Sequence, residues 1–572
     1  MKNGKIVILT LLIFTSAFAI LSTDIEYCTA TLNKFESYEE LRDFLEHRRY
    51  GFEPPRFLLN VESYGSSELN AMYGLGYDYS KTNVQVEGVD EADIVKTDGE
   101  YIYVISGQKV VIVRAYPAEE AAVLSRITVN GTLKQIFINE ERIVVFYETG
   151  SWNEAKTFIE IYDVSDRENP AVKREMSVDG IYFASRMIGE YVYVVVRKAA
   201  SVVDGEVSLP EIDFESECKV VPATEIYYSN IADYGYMFTT IVAVNVKEDW
   251  QEPTDETILS GATTGMYVSL GNIYLAIGYW DKTVLHRINI ENNEISYVAD
   301  GQVPGRVLNQ FSMDEHEGYF RAATTLDRKN NVYILNMDLK IVGRLEDFAP
   351  RETIHSARFM GDICYLVTFE KIDPFFVIDL SNPHDPEILG ELKITGYSDY
   401  LHLYDENHVI GVGKETIPEE GGFSWHQGVK ISFFDVADMC EPKEIAKYEI
   451  GDRGSDSPVL RDHKAFLFDR ERNLLVIPVL VTEINESGAP PYIYGKTVWQ
   501  GAYVFTISLT LEEKIVLEGT ITHVENGDVH NASYHIKRTL YIGEVLYTIS
   551  NNKIKMNFLL DLSEINELYL EG

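Results

Sequence analysis

The chain has 572 residues, 45% of them hydrophobic and 24% charged, so it carries material for a large packed core and is too apolar for wholesale disorder. Lys and Arg total 50 against 90 Asp and Glu, a formal charge of −40. Such a field repels phosphate backbones and excludes nucleic acid as a partner. The 12% aromatic share, led by 37 Tyr and 26 Phe, favours β-structure, where rings pack on a pleated surface.

At the N-terminus, Lys2 and Lys5 precede an apolar run from Ile6 to Phe14, and Ser16-Ala17-Phe18-Ala19 supplies the small-x-small pattern of a cleavage point. This reads as a signal peptide over residues 1–19 and predicts a secreted or cell-surface protein. An uncleaved signal anchor, with Ile20 and Leu21 extending the apolar run, is its one expected route to a membrane. Residues 20–82 read as a short helix and an extended arm. Ser37-Tyr38-Glu39-Glu40 is a capping box opening a helix to about His47, with Leu41, Phe44 and Leu45 on its apolar side. The arm follows from the Gly, Ser, Pro and Tyr content of residues 51–79. The 4 cysteines are too few for a disulfide-built scaffold. Cys364 reads as a free thiol buried in a strand, and Cys28 with Cys218 as the candidate pair.

From Asn83 onward the chain repeats one unit: a turn containing Gly, Asn or Asp, then alternating aromatic and branched residues. Asp98-Gly99-Glu100-Tyr101-Ile102-Tyr103, Gly189-Glu190-Tyr191-Val192-Tyr193, Gly361-Asp362-Ile363-Cys364-Tyr365 and Gly543-Glu544-Val545-Leu546-Tyr547 are close copies. Asp314-Glu315-His316-Glu317-Gly318-Tyr319 is a looser one. A second marker follows at a fixed phase: Asp163-Val164-Ser165, Asp379-Leu380-Ser381 and Asp435-Val436-Ala437, each with a proline a few residues on. Together these define a four-stranded antiparallel unit, and repetition around an axis gives an all-β propeller over residues 83–568. Nine copies are countable, which predicts eight or nine blades, or seven if the weaker copies are insertions. The last copy ends near Leu560 without an evident outer strand, and Asn83 to Val89 is expected to supply it.

The stretch from Asn83 to Lys96, with Ser356-Ala357-Arg358-Phe359-Met360-Gly361-Asp362, the segment Asp373 to Leu380, and Asp462-His463-Lys464-Ala465-Phe466-Leu467-Phe468, resembles a secreted β-propeller family distantly related to WD repeats and found in archaea and bacteria. The resemblance covers about Asn83 to Leu568. It implies the fold and export, and implies no catalytic residues.

The densest carboxylates are Asp90, Glu91 and Asp93, hard oxygen donors suited to Ca²⁺ as a structural ion, although no EF-hand spacing accompanies them. An alternative reading makes them a polar strand entrance. The histidines His402, His426, His463, His530 and His535 lack zinc spacing and read as structural or surface groups. No Gly-x-Ser-x-Gly elbow and no phosphate loop is present. Two loops are rich in aromatic residues: one holds Trp425 and His426, the other leads through Tyr492 and Tyr494 to Trp499. Such loops on a rigid scaffold suit recognition. The sequence therefore predicts a non-catalytic propeller binding a protein or glycan at the cell surface through these five residues. The alternative is an exported hydrolase or lyase using carboxylates, with or without a metal, at the channel mouth.

Overall fold

The structure, a computed structural model, describes residues 33–47 and 78–571, apart from 153, 216, 230–234, 370–372, 420–423, 487 and 526. The signal segment, Cys28 and most of the arm lie outside the described residues.

Among the described residues, nine sheets of four or more strands follow one another along the chain, antiparallel except where Tyr227–Tyr228 pairs with Thr254–Ser260 in parallel, with a separate two-stranded hairpin of Val202–Val203 and Glu206–Val207. Their core strands span residues 95–128, 132–179, 181–260, 265–304, 306–348, 353–394, 397–450, 467–521 and 538–569. Nine buried apolar clusters each join one sheet to the next. The cluster holding Ile102, Val104, Leu540 and Tyr547 joins the ninth sheet to the first and closes the ring. The fold is thus a β-propeller whose blades are buried on both faces. Strand Met237–Asn245, for example, is buried at every residue.

The repeated residues have repeated jobs. In the second strand of a blade a tyrosine is buried while its hydroxyl reaches the turn end of the ring. Tyr103 donates to Asp98 at 2.9 Å, Tyr274 to Glu315 at 2.7 Å and Tyr547 to the Ala115 carbonyl at 2.7 Å. The Asp-x-Ser marker folds as expected, with the Asp163 and Asp379 carboxylates accepting from the Ser165 and Ser381 amides at 2.9 and 2.8 Å. The loop that follows abuts the preceding blade. A Cβ added at Gly343 would lie 2.0 Å from the Pro383 carbonyl oxygen, and one at Gly390 2.2 Å from that of Met439, so glycine is required at both.

The short helix is Tyr38–His47, capped by Ser37 Oγ, which accepts from the Glu40 amide at 3.2 Å. Its Leu41 and Leu45 are buried against the second and third blades. Cys364 is a buried free thiol, and burial pushes it up to about 12. The acidic segment after Ala200 folds onto the second blade: Val202, Val207 and Ile212 are buried, and Glu211–Phe214 with Glu217–Val220 widen that blade to six strands.

The expected closure is corrected. The ninth blade has its own outer strand, Glu564–Tyr569, and residues 83–89 form no strand. They cross the central channel. The Asn83 amide donates to the Tyr400 hydroxyl at 3.1 Å and the His463 carbonyl at 3.0 Å, and that of Gln85 donates to the Gln310 carbonyl at 3.0 Å. The two amides that resemble alternating edge-strand positions instead satisfy carbonyls and hydroxyls from blades five, seven and eight.

Candidate functional site

The first strand of each blade lines the channel, and residues 78–94 form a strap along its inside. Tyr79 bridges Ile542 in blade nine, Asp90–Glu91 pairs with Ile181–Ile188 in blade three, and Asp93 bridges Ile136 in blade two. The strap then becomes the first strand of blade one, Val95–Thr97.

The three predicted oxygen ligands lie on this strap, each engaged by a cation of the protein. Asp90 meets Lys96 at 2.7 Å, Glu91 meets Arg186 at 3.5 Å, and Asp93 takes two guanidinium nitrogens of Arg538 at 2.8 and 2.9 Å. Arg538 also holds Asp462. Glu91 further accepts from the Gln85 amide at 3.0 Å and from Gln310 at 3.3 Å. These acids do not converge on one point as ligands of a single ion would: Glu91 and Asp93 fasten the strap to blades three and nine, and Asp90 pairs with Lys96 at the start of blade one. Beside them a cavity of about 180 Å³, lined by Lys96, Lys464, Arg538, Asp90, Asp93 and Thr539, separates the strap from blades one, eight and nine.

The five histidines do not gather at one site, although His402 and His463 are near each other. His402 and His463 are buried in the channel. Burial, with Arg358 nearby, pushes His402 down to about 3, while its Nδ1 lies 2.9 Å from the Tyr400 hydroxyl. Burial, with Lys464 and Arg358, also holds His463 well below its ordinary value. His426 is on the loop face, and His530 and His535 flank the loop before blade nine.

Alternating strand direction sends second-to-third-strand hairpins and sheet-to-sheet connections to one end of the ring. That end carries the long insertions, including 200–236, 451–466, 484–495 and 522–537. Here the two aromatic loops meet. Trp425, opposite Ile417 in the hairpin of blade seven, lies 5.8 Å from the Tyr492 ring in the loop of blade eight. Arg453, from the connection between the blades, sits 4.9 Å from the Trp425 ring centre and 4.3 Å from that of Tyr494. Its guanidinium donates to the His426 carbonyl at 2.9 Å and the Tyr494 hydroxyl at 3.1 Å. The Gly495 amide donates to the Arg453 carbonyl at 2.8 Å, which fixes the loop to the connection. His426 continues the cluster towards blade six, 5.4 Å from Tyr397 and 5.6 Å from Phe369. Partial burial and Arg453 hold His426 below its ordinary value.

Three of the five predicted binding residues, Trp425, Tyr492 and Tyr494, thus form one platform, and His426 adjoins it with its ring turned to Tyr397 and Phe369. Trp499 does not join it; its ring is edge-on to Tyr503 at 5.3 Å and packs on the core between blades seven and eight. Sequence reading missed Arg453, the residue that joins the two loops. Its neighbours Gly451 and Gly454 and the acids around them mark only a turn.

The family model described as "Beta propeller domain" matches residues 79–562. An uncharacterised protein of Methanocaldococcus jannaschii is 29% identical over 562 residues, covering 82% of this chain and 80% of the relative. One of Archaeoglobus fulgidus is 30% identical over 541 residues, covering 78% of this chain and 86% of the relative. Among solved structures, Citrobacter koseri AztD aligns with a TM-score of 0.36 at 11% identity, covering 85% of this chain and 95% of that one.

Proposed function

The chain belongs to the beta propeller domain family, and on that premise we propose that it is a non-catalytic binding scaffold, secreted or held at the cell surface, which engages a protein partner through the loops of blades seven and eight. The observation that carries the reading is the platform of Trp425, Arg453, Tyr492 and Tyr494. Tyr492 is 53% exposed and Tyr494 68%; Arg453 holds Tyr494, and Tyr492 lies against the Trp425 ring. Aromatic residues and Arg dominate the energetics of protein interfaces. Ile417, Ile493 and Val498, also exposed, make the neighbourhood apolar, which favours a protein surface over a glycan. Export rests on the lysine-led apolar N-terminus and its small-residue pattern. The channel acids weigh against a hydrolytic reading, because Asp90, Glu91 and Asp93 are paired with Lys96, Arg186 and Arg538.

Immobilised protein and its Trp425→Ala/Tyr494→Ala variant, matched by circular dichroism, are exposed to a cell-envelope fraction and to a glycan array. The reading expects one protein retained by the native chain and reduced about tenfold or more by the variant. Equal retention by both, or binding to the glycan array alone, would contradict it.

A further inference from the structure

At the end of the ring opposite the long loops, first-to-second-strand turns of neighbouring blades stand side by side, and several pairs are clipped by a fixed cation. Lys247 bridges Glu140 and Glu190 at 2.9 and 3.4 Å between blades two and three. Arg470 reaches Asp405 at 3.1 Å between blades seven and eight, and Arg472 reaches Glu544 at 2.9 Å between blades eight and nine. Blades five and six use different residues. His316 Nε2 of blade five lies 3.4 Å from Asp362 Oδ1 of blade six, and Glu317 brings a third donor, so that one ligand atom from each lies within 4.8 Å of the others.

We propose that His316, Glu317 and Asp362 bind a divalent transition-metal ion, Zn²⁺ above others, at the seam of blades five and six, on the same rim where three other seams carry a Lys or Arg ion pair. The donor set is one imidazole nitrogen and two carboxylates, which suits a borderline ion better than Ca²⁺ or Mg²⁺, since those take oxygen alone. Bonds of about 2.1 Å set a tetrahedral edge near 3.4 Å, the same as the separation between His316 and Asp362. Three protein donors and an exposed rim leave the fourth position to water.

The turn that carries Asp362 is held by backbone contacts that do not depend on the metal. The Gly361 carbonyl accepts from Arg321 Nη1 at 2.6 Å, while Arg321 Nε donates to Asp314 at 2.9 Å, which ties the Asp362 turn to blade five. The Asp362 carbonyl accepts from the Leu380 amide at 2.7 Å within its own blade. Glu317 and Gly361 adopt positive φ of 48° and 49°, so both turns are tight and bring the two donor segments to one edge of the rim. The net charge of −40 raises the local concentration of cations around the chain.

The test titrates chelator-stripped, full-length protein with Zn²⁺ by calorimetry and with Co²⁺ by visible absorption, alongside the His316→Gln and Asp362→Asn variants. All three side chains are at the surface, and circular dichroism confirms that the variants are folded. The proposal expects one tightest-class ion per chain, a Co²⁺ band of four-coordinate intensity, and Zn²⁺ affinity reduced about tenfold or more in each folded variant. Absence of Zn²⁺ binding, or affinity unchanged within twofold in both variants, would overturn it. The second result would put the ion on other surface acids.

Discussion

The strap in the channel and the platform on the loop face are each organised by an arginine, the first among carboxylates and the second among aromatic rings. In each, an arginine from one blade reaches groups delivered by distant parts of the chain: Arg538 takes Asp93 and Asp462, and Arg453 lies between Trp425 and Tyr494. They differ in access to water. The side chains of Arg538 and Asp93 are 8% and 5% exposed, whereas Tyr494 is 68% exposed. Burial turns the first set into part of the fold, since a charge pair out of water holds only with its partners in register. Exposure leaves the second set with surface to offer. The chemistry of the side chains does not assign the role; their position in the ring does.

Breaking the strap tests this difference most severely. Asp93→Ala leaves Arg538 buried with Asp462 as its remaining carboxylate, and about 3 kcal/mol of stability is expected to be lost, measured by denaturant unfolding. A loss under about 1 kcal/mol would mean that the pair is not structural. The second effect is on pH. His402, in the channel, is held neutral by burial, with a value near 3, whereas the unfolded chain takes up that proton near 6.5. Its contribution is therefore fully present above pH 6.5 and declines as the pH falls towards 3, by up to about 1.4 kcal/mol per pH unit. The comparison is between unfolding of the native chain and His402→Gln at pH 7 and pH 5. A shallower pH dependence in the variant supports the buried assignment, and identical profiles would contradict it.

The architecture was legible because its determinants are local. The turn residues, the tyrosine of the second strand and the Asp-x-Ser marker act within a few positions of one another, so nine blades repeat visibly along the chain. The helix was legible for the same reason, through Ser37 and Glu40. The strap was not. Asp93 and its arginine are 445 residues apart, and Asn83 is 317 residues from Tyr400. Lys96, the partner of Asp90, is close in sequence, but nothing near Glu91 and Asp93 announces Arg186 and Arg538, which the closed ring brings to them, so the local pattern leaves a metal cluster and a polar strand entrance both open. The platform was legible in its aromatic residues and illegible in Arg453, whose role appears only once blades seven and eight are adjacent. Trp499 misled because it shares the composition of the loop while belonging to strand Lys496–Ile507.

The most direct measurement of the central claim is hydrogen exchange on the full-length protein, with and without the partner retained from the envelope fraction. Slowed exchange confined to residues 417–427, 451–456 and 490–498, with the channel strap unchanged, is the predicted result. Protection concentrated on the strap or on the opposite rim, with the loops of blades seven and eight unaffected, would contradict the assignment of binding to this face.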